Sequence, residues 1–244
     1  MPLHYLRSYT SLQRTDISNR RLGRSLAFVA GAVNAGGFFA VGQYTSHMSG
    51  IVSSLADNLV LGKAALLWGG LASLLAFFCG AATSAVLINW GRRREAHSRY
   101  ALPLLLEATL LLVFGLLGAR AAQLGYIEAI VALLCFIMGL QNAIVTKASR
   151  AEIRTTHVTG LVTDIGIELG KLFYWNRSAS AGGRVVADRQ RLALLASLLA
   201  MFFIGGVAGA FGYQCLGFVA TVPLALAVLL LAIVPLLDDL RAAR

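Results

Sequence analysis

Charge is the first thing this sequence lacks. Only 13% of its 244 residues are Asp, Glu, Lys or Arg, where a soluble domain carries about 25%. That shortage excludes an ordinary well-solvated globular surface. Cysteine is also scarce. Cys79, Cys135 and Cys215 all fall inside apolar runs, and none belongs to a Cys-x-x-Cys pair. A disulfide framework or zinc site is not expected, and the three read as small packing residues. The glycine clusters lack the strand–turn–helix setting of a nucleotide fold. No metal-ligand cluster and no nucleophile–base pair stands out, so neither enzyme nor cofactor chemistry is expected. The polar, basic start is followed by an apolar run without a small-residue cleavage site, so no cleaved signal peptide is expected.

Apolar residues fill the space that charge leaves. They make up 58% of the chain, and the mean hydropathy is +0.74. Several runs reach the roughly 20 residues that a bilayer core requires. The expected class is an all-α, multi-pass membrane protein with the lipid bilayer as its surroundings. Six spans are expected, near residues 26–41, 64–89, 101–118, 127–145, 192–211 and 216–237. A polar leader, 1–24, precedes them and a charged tail, 239–244, follows.

The net charge is +10. In a soluble protein that would suggest nucleic acid. Here orientation explains it. With six spans, every one of the 21 Lys and Arg residues except Lys63 and Arg120 falls on one side. The positive-inside rule then makes that side cytoplasmic, with both termini there and the chain in a bacterial inner membrane. A basic cytoplasmic face would suit anionic headgroups.

One stretch is written twice. Thr155-Thr-His-Val-Thr-Gly-Leu-Val-Thr matches Thr45-Ser-His-Met-Ser-Gly-Ile-Val-Ser at Thr, His, Gly and Val, with conservative swaps elsewhere. Upstream, Phe136-Ile-Met-Gly-Leu-Gln-Asn-Ala matches Phe28-Val-Ala-Gly-Ala-Val-Asn-Ala at Phe, Gly, Asn and Ala. This is the signature of a duplicated unit, giving repeats over 25–120 and 121–238. Three spans per repeat is an odd number, so the second repeat enters the membrane from the opposite side. Inverted repeats with sites where Gly-interrupted segments meet are a recurring plan in secondary transporters.

The candidate binding residues follow from this duplication. If residues 155–171 are helical, His157, Leu161, Asp164 and Glu168 share one stripe with Lys171, and Thr156, Thr159 and Thr163 share the next. In the first copy, His47, Ile51, Ser54 and Asn58 correspond, with Ser46, Ser49 and Ser53 as the hydroxyl stripe. Gly50 and Gly160 allow a bend or a close approach. Such segments are too polar to face lipid, so each is expected to be re-entrant, broken or interfacial. His157, Asp164 and Glu168 read either as a cation or proton site or as solvated interfacial charges. The equivalent amides Asn34 and Asn142, with neighbouring Gln141, read as substrate contacts or as interhelical glue. Glu107 is the lone carboxylate in its span. It reads as an ion-coupling group or as one half of a structural hydrogen bond. Gly69-Gly70, Gly80 and the Gly205–Gly212 series read as close helix packing.

The motif Gly139-Leu-Gln-Asn-Ala followed by Thr155-Thr-His-Val-Thr-Gly-Leu-Val-Thr-Asp resembles the YoaK family of bacterial inner-membrane proteins, a domain of unknown function. The likeness runs from about Leu26 into the sixth span. The resemblance implies six or seven spans and brings no substrate. The chain departs from the family pattern at Asn34, where an acid is usual, and at Ser49-Gly50-Ile51, where Thr-Gly-Asn is usual. The expectation for function is a small secondary transporter handling an unidentified small molecule or ion, with homo-oligomers an open possibility. The alternative is a structural, sensor or regulatory membrane protein.

Overall fold

The computed structural model describes residues 16–94, 99–149, 153–176 and 184–242, and every regular element among them is helical. In chain order they are α1 (Asp16–Val41), α2 (Met48–Val60), α3 (Ala64–Arg93), α4 (Ala101–Gln123), α5 (Ile127–Ala148), α6 (Val158–Phe173), α7 (Arg189–Leu216) and α8 (Thr221–Ala242). A short 3-10 turn, Gly217–Ala220, joins the last two.

Five stretches are long and apolar enough to cross a membrane: Ile17–Val41, Ala64–Arg93, Ala101–Gln123, Ile127–Ala148 and Arg189–Ile233. The chain is thus an integral, multi-pass membrane protein. Its exposed surface carries many large apolar side chains, including Trp68, Phe78, Phe203 and Phe211. In water such a surface would be a liability, and against lipid it is the proper solvent face. The last stretch spans 45 residues, about 67 Å as one straight helix. It is not straight. Gly217 takes φ 61°, which only glycine adopts cheaply, and the chain folds back there. A Cβ on Gly212 would sit 3.2 Å from the Ala220 Cβ, whereas eight residues of α-helix rise about 12 Å. The Tyr213 and Thr221 hydroxyls then hydrogen-bond at 2.7 Å across the bend.

The helices associate through glycine. Gly31 on α1 lies against the Phe202 carbonyl of α7, and Gly205 on α7 lies against the Phe28 carbonyl of α1. The same exchange recurs between Gly80 on α3 and Phe136 on α5, and between Gly139 on α5 and Phe77 on α3. Four Phe-x-x-Gly segments therefore build two crossings at backbone contact. Small residues let transmembrane helices approach in this way, and dispersion then holds them. Along the first pair Gly23 lies by Leu198 and Gly36 by Tyr213, and along the second Ser73 lies by Cys135 and Asn89 by Lys147, so α1 runs parallel to α7 and α3 parallel to α5. By contrast α4 runs antiparallel to α8, with Gly115 beside Val222 and Gly118 beside Phe218. Around these pairs, Leu104, Leu111, Phe114, Leu134, Met138 and Leu198 are fully buried. The two short helices lie outside this frame, α2 on α3 and α6 on α7.

Two expected boundaries move. Residues 16–24, read as polar leader, form the first turns of α1, where buried Leu22 anchors them. The rest of the leader lies outside the described residues. Thr155, Thr156 and His157 precede α6 instead of opening it.

Candidate functional site

The two motif segments share one local architecture. His47 and His157 are the N-cap residues of α2 and α6, and neither caps its helix with a side-chain hydrogen bond. Each imidazole instead folds over the first turn. A Cβ on Gly50 would sit 3.0 Å from the His47 Nδ1, and one on Gly160 would overlap the His157 Nδ1. That is the physical reason for the repeated His-x-x-Gly spacing: the glycine leaves room for the ring. Just upstream, Asn34 Oδ1 accepts from the Ser46 amide at 3.2 Å and its hydroxyl at 2.8 Å. Asn142 Oδ1 accepts from the Thr156 hydroxyl at 2.6 Å. Both amides thus tie a long helix to the loop that follows it. Gln141 points elsewhere, donating to the Leu26 carbonyl of α1 at 3.4 Å.

Beyond this shared frame the halves differ. In the first, His47, Gly50, Ile51, Ser54 and Asn58 line a cavity of about 850 Å³ between α2 and α3. Its other walls are Trp68, Gly69, Gly70 and Ser73 of α3, Gln43 and Tyr44 after α1, and Ile127, Glu128 and Val131 of α5. Among the described residues no Lys or Arg lines it, and Glu128 is its carboxylate. Asn58 donates to the Ser54 hydroxyl at 3.1 Å. Ser49 is exposed and lies outside the lining, as does Thr159 in the second copy.

In the second half, among the described residues, larger side chains stand at the corresponding positions. Aligning Phe77-x-x-Gly80 with Phe202-x-x-Gly205 sets Gly69, Gly70 and Ser73 opposite Leu194, Leu195 and Leu198. Those three leucines are buried and pack with Ile153 and Leu161. Polar contacts close the rest. Arg191 donates to Asp164 at 3.1 Å. Glu168, at the position of Asn58, is only 3% exposed. It accepts from the Lys171 ammonium at 2.8 Å and from the Asp188 amide at 2.9 Å. The Lys171 and Asp188 hydrogen bonds hold its carboxyl below the usual carboxylate range. Reading Glu168 as a simply solvated charge is therefore corrected: it is a buried latch between α6 and the start of α7. Asp188 also caps α7, accepting from the Gln190 and Arg191 amides.

The site expected between the two motifs is thus not one constellation. Asn142, His157 and Asp164 stand apart from the cavity around His47. Glu107 is separate again, fully buried on α4 with neither carboxylate oxygen hydrogen-bonded. Gln141 lies alongside it. Sequence reasoning missed the part played by Gly69, which was grouped with packing glycines. A Cβ there meets nothing within 4 Å, unlike one on Gly80 or Gly205. Its only available signal was the small-to-leucine contrast between the halves. Among the described residues no group of three or more His, Cys, Asp or Glu side chains is placed to hold a metal ion.

No curated protein and no solved structure matches this chain. A family model described as "Protein of unknown function (DUF1275)" matches residues 22–234, which covers most of α1, all of α2 to α7, the larger part of α8, both motif segments and the cavity, and the chain belongs to that family.

Proposed function

We propose that this protein is a six-span secondary transporter, built from two inverted repeats, with its solute site in the cavity beside His47. The carrying observation is the contrast between an open cavity that displays His47, Ser54, Asn58 and Ser73 in one half and leucine packing with hydrogen-bonded carboxylates at the corresponding positions of the other. That is the asymmetry required of a carrier accessible from one side at a time.

Three further features support the reading. Under the repeat, α1, α2, α3 and α4 correspond to α5, α6, α7 and α8. This exchange turns the α1–α7 pair into α5–α3 and leaves α4–α8 as itself, matching the observed partners. The parallel and antiparallel senses agree with six alternating spans. The fold-back at Gly217 divides the 45-residue apolar stretch into two passes. The cavity then faces away from the basic, cytoplasmic side. Its lining favours an uncharged or cationic solute of modest size, held by amide, hydroxyl and imidazole groups against Trp68. The motif likeness to the YoaK family of bacterial inner membranes agrees with this setting.

Single cysteines test the arrangement, placed at positions 47 and 157 in a chain lacking Cys79, Cys135 and Cys215. A membrane-impermeant thiol reagent should reach position 47 only from outside and position 157 only from inside. Reaction of both from one side would reject the inverted repeat. Solute flux is tested by proteoliposome uptake of pooled polar metabolites read by mass spectrometry. Uptake that is present in the wild type and unchanged by His47→Ala and Asn58→Leu would reject the cavity as the route.

A further inference from the structure

We infer that Glu107 and Gln141 form an intramembrane proton-binding site, separate from the cavity, that loads and releases one proton at the Glu107 carboxyl. Three oxygens carry the inference: Glu107 Oε1, Glu107 Oε2 and Gln141 Oε1 are all buried and all lack a hydrogen-bond partner. Gln141 has already committed its amide nitrogen to the Leu26 carbonyl, so its oxygen faces the core without a donor. An ionised carboxylate in such a place costs several kcal/mol or more unless a cation joins it.

Among the described residues, the membrane-embedded parts of the elements packed on α4 supply no such cation. The elements packed on α4 are α3, α5, α8 and the 3-10 turn. Between Ala64 and Gly91, α3 carries no ionisable side chain except Cys79. Between Ala129 and Thr146, α5 carries none except Cys135, and from Gly217 to Ile233 there is none. Metal cations of ordinary coordination want about six oxygens, more than this site presents. A single proton suffices. It turns Glu107 into a donor, and the new O–H can bond to Gln141 Oε1, satisfying two of the three oxygens at once.

Release has a defined cost and a defined exit. Glu107 lies six residues into α4, about 9 Å of helix from its start. That end sits beside Lys147, whose carbonyl accepts from Tyr100 at 3.2 Å, on the basic side of the molecule. When the proton leaves to water there, the carboxylate needs a donor. The Gln141 amide nitrogen has two N–H groups, one of them given to the Leu26 carbonyl, and the second can turn to the carboxylate beside it without giving up that bond. The site stands independently of the transport reading, because proton binding is measurable without any solute.

Infrared difference spectroscopy of the full chain in liposomes tests this. The wild type should show a protonated-carboxyl C=O band at neutral pH that shifts in D2O and disappears reversibly under alkaline conditions. Glu107→Asp should move the band, and Glu107→Gln should remove it. No such band at neutral pH, or a band that neither exchanges nor titrates, would overturn the proposal. Loss of the band at neutral pH on adding sodium chloride would also overturn it, by assigning the site to a metal cation. Should Glu107→Gln not fold, exchange and titration in the wild type and in Glu107→Asp decide the matter.

Discussion

Gly31→Ala and Gly205→Ala probe one crossing from its two sides. A Cβ at position 31 would sit 2.8 Å from the Phe202 carbonyl carbon, and one at 205 would sit 2.8 Å from that of Phe28, where ordinary contact begins at 3.4 Å. The helices must therefore part by at least about 0.6 Å at either site, and the obstacle is backbone, which has no rotamer to change. Overpacking costs about 1–3 kcal/mol, and a rigid obstacle puts each variant near the upper end, about 3 kcal/mol. A crossing opened for one methyl already has room for the other, so the double variant should cost much less than the sum. Gly31→Ala combined with Gly80→Ala disturbs two different crossings and should approach additivity, about 6 kcal/mol. Reversible unfolding in detergent micelles, followed by helical circular dichroism against denaturant, gives the three free energies. Full additivity within the α1–α7 crossing, or a cost below about 0.5 kcal/mol for Gly31→Ala, would refute backbone contact as the basis of the pairing.

Gly69→Leu should fold normally and abolish uptake, because the new side chain enters open cavity and repeats what Leu194 does in the other half; helix propensity even favours it by up to about 1 kcal/mol, and unaltered uptake would separate the cavity from transport. Removing the Asn142–Thr156 bond by Asn142→Leu and Thr156→Val should reveal a coupling of about 0.6–1.7 kcal/mol in a double-mutant cycle, and Asn34 with Thr156 should show none. Glu168 has a lowered pKa in the folded state, so the stability it adds is complete above the ordinary carboxylate range and fades as pH falls through the lowered value. Wild-type and Glu168→Gln melting curves should therefore differ at neutral pH and converge in acid; a gap that persists or widens in acid would contradict the latch.

Much of the fold was written in the order of residues. The apolar runs announced the spans because a bilayer demands about 20 apolar residues wherever a helix crosses, and that demand needs no knowledge of neighbours. The duplicated Phe-x-x-Gly-x-x-Asn and His-x-x-Gly segments announced two stretches of like local structure. Their spacing encodes local contacts: a glycine under an imidazole, an amide holding the next loop. These too are decided within a few residues of chain. Only the tertiary structure decided which helices meet. Parallel α1–α7 and α3–α5 crossings join residues far apart in sequence, and a glycine against a distant carbonyl looks the same on paper as a glycine facing empty space. Gly69 and Gly80 differ only in what lies opposite them. The same reason divides the polar residues: Glu168 finds Lys171 and the Asp188 amide, Asn58 opens onto a cavity, and Glu107 lies in the core beside Gln141. Side-chain chemistry is carried by the sequence, but partners and dielectric belong to the packed bundle.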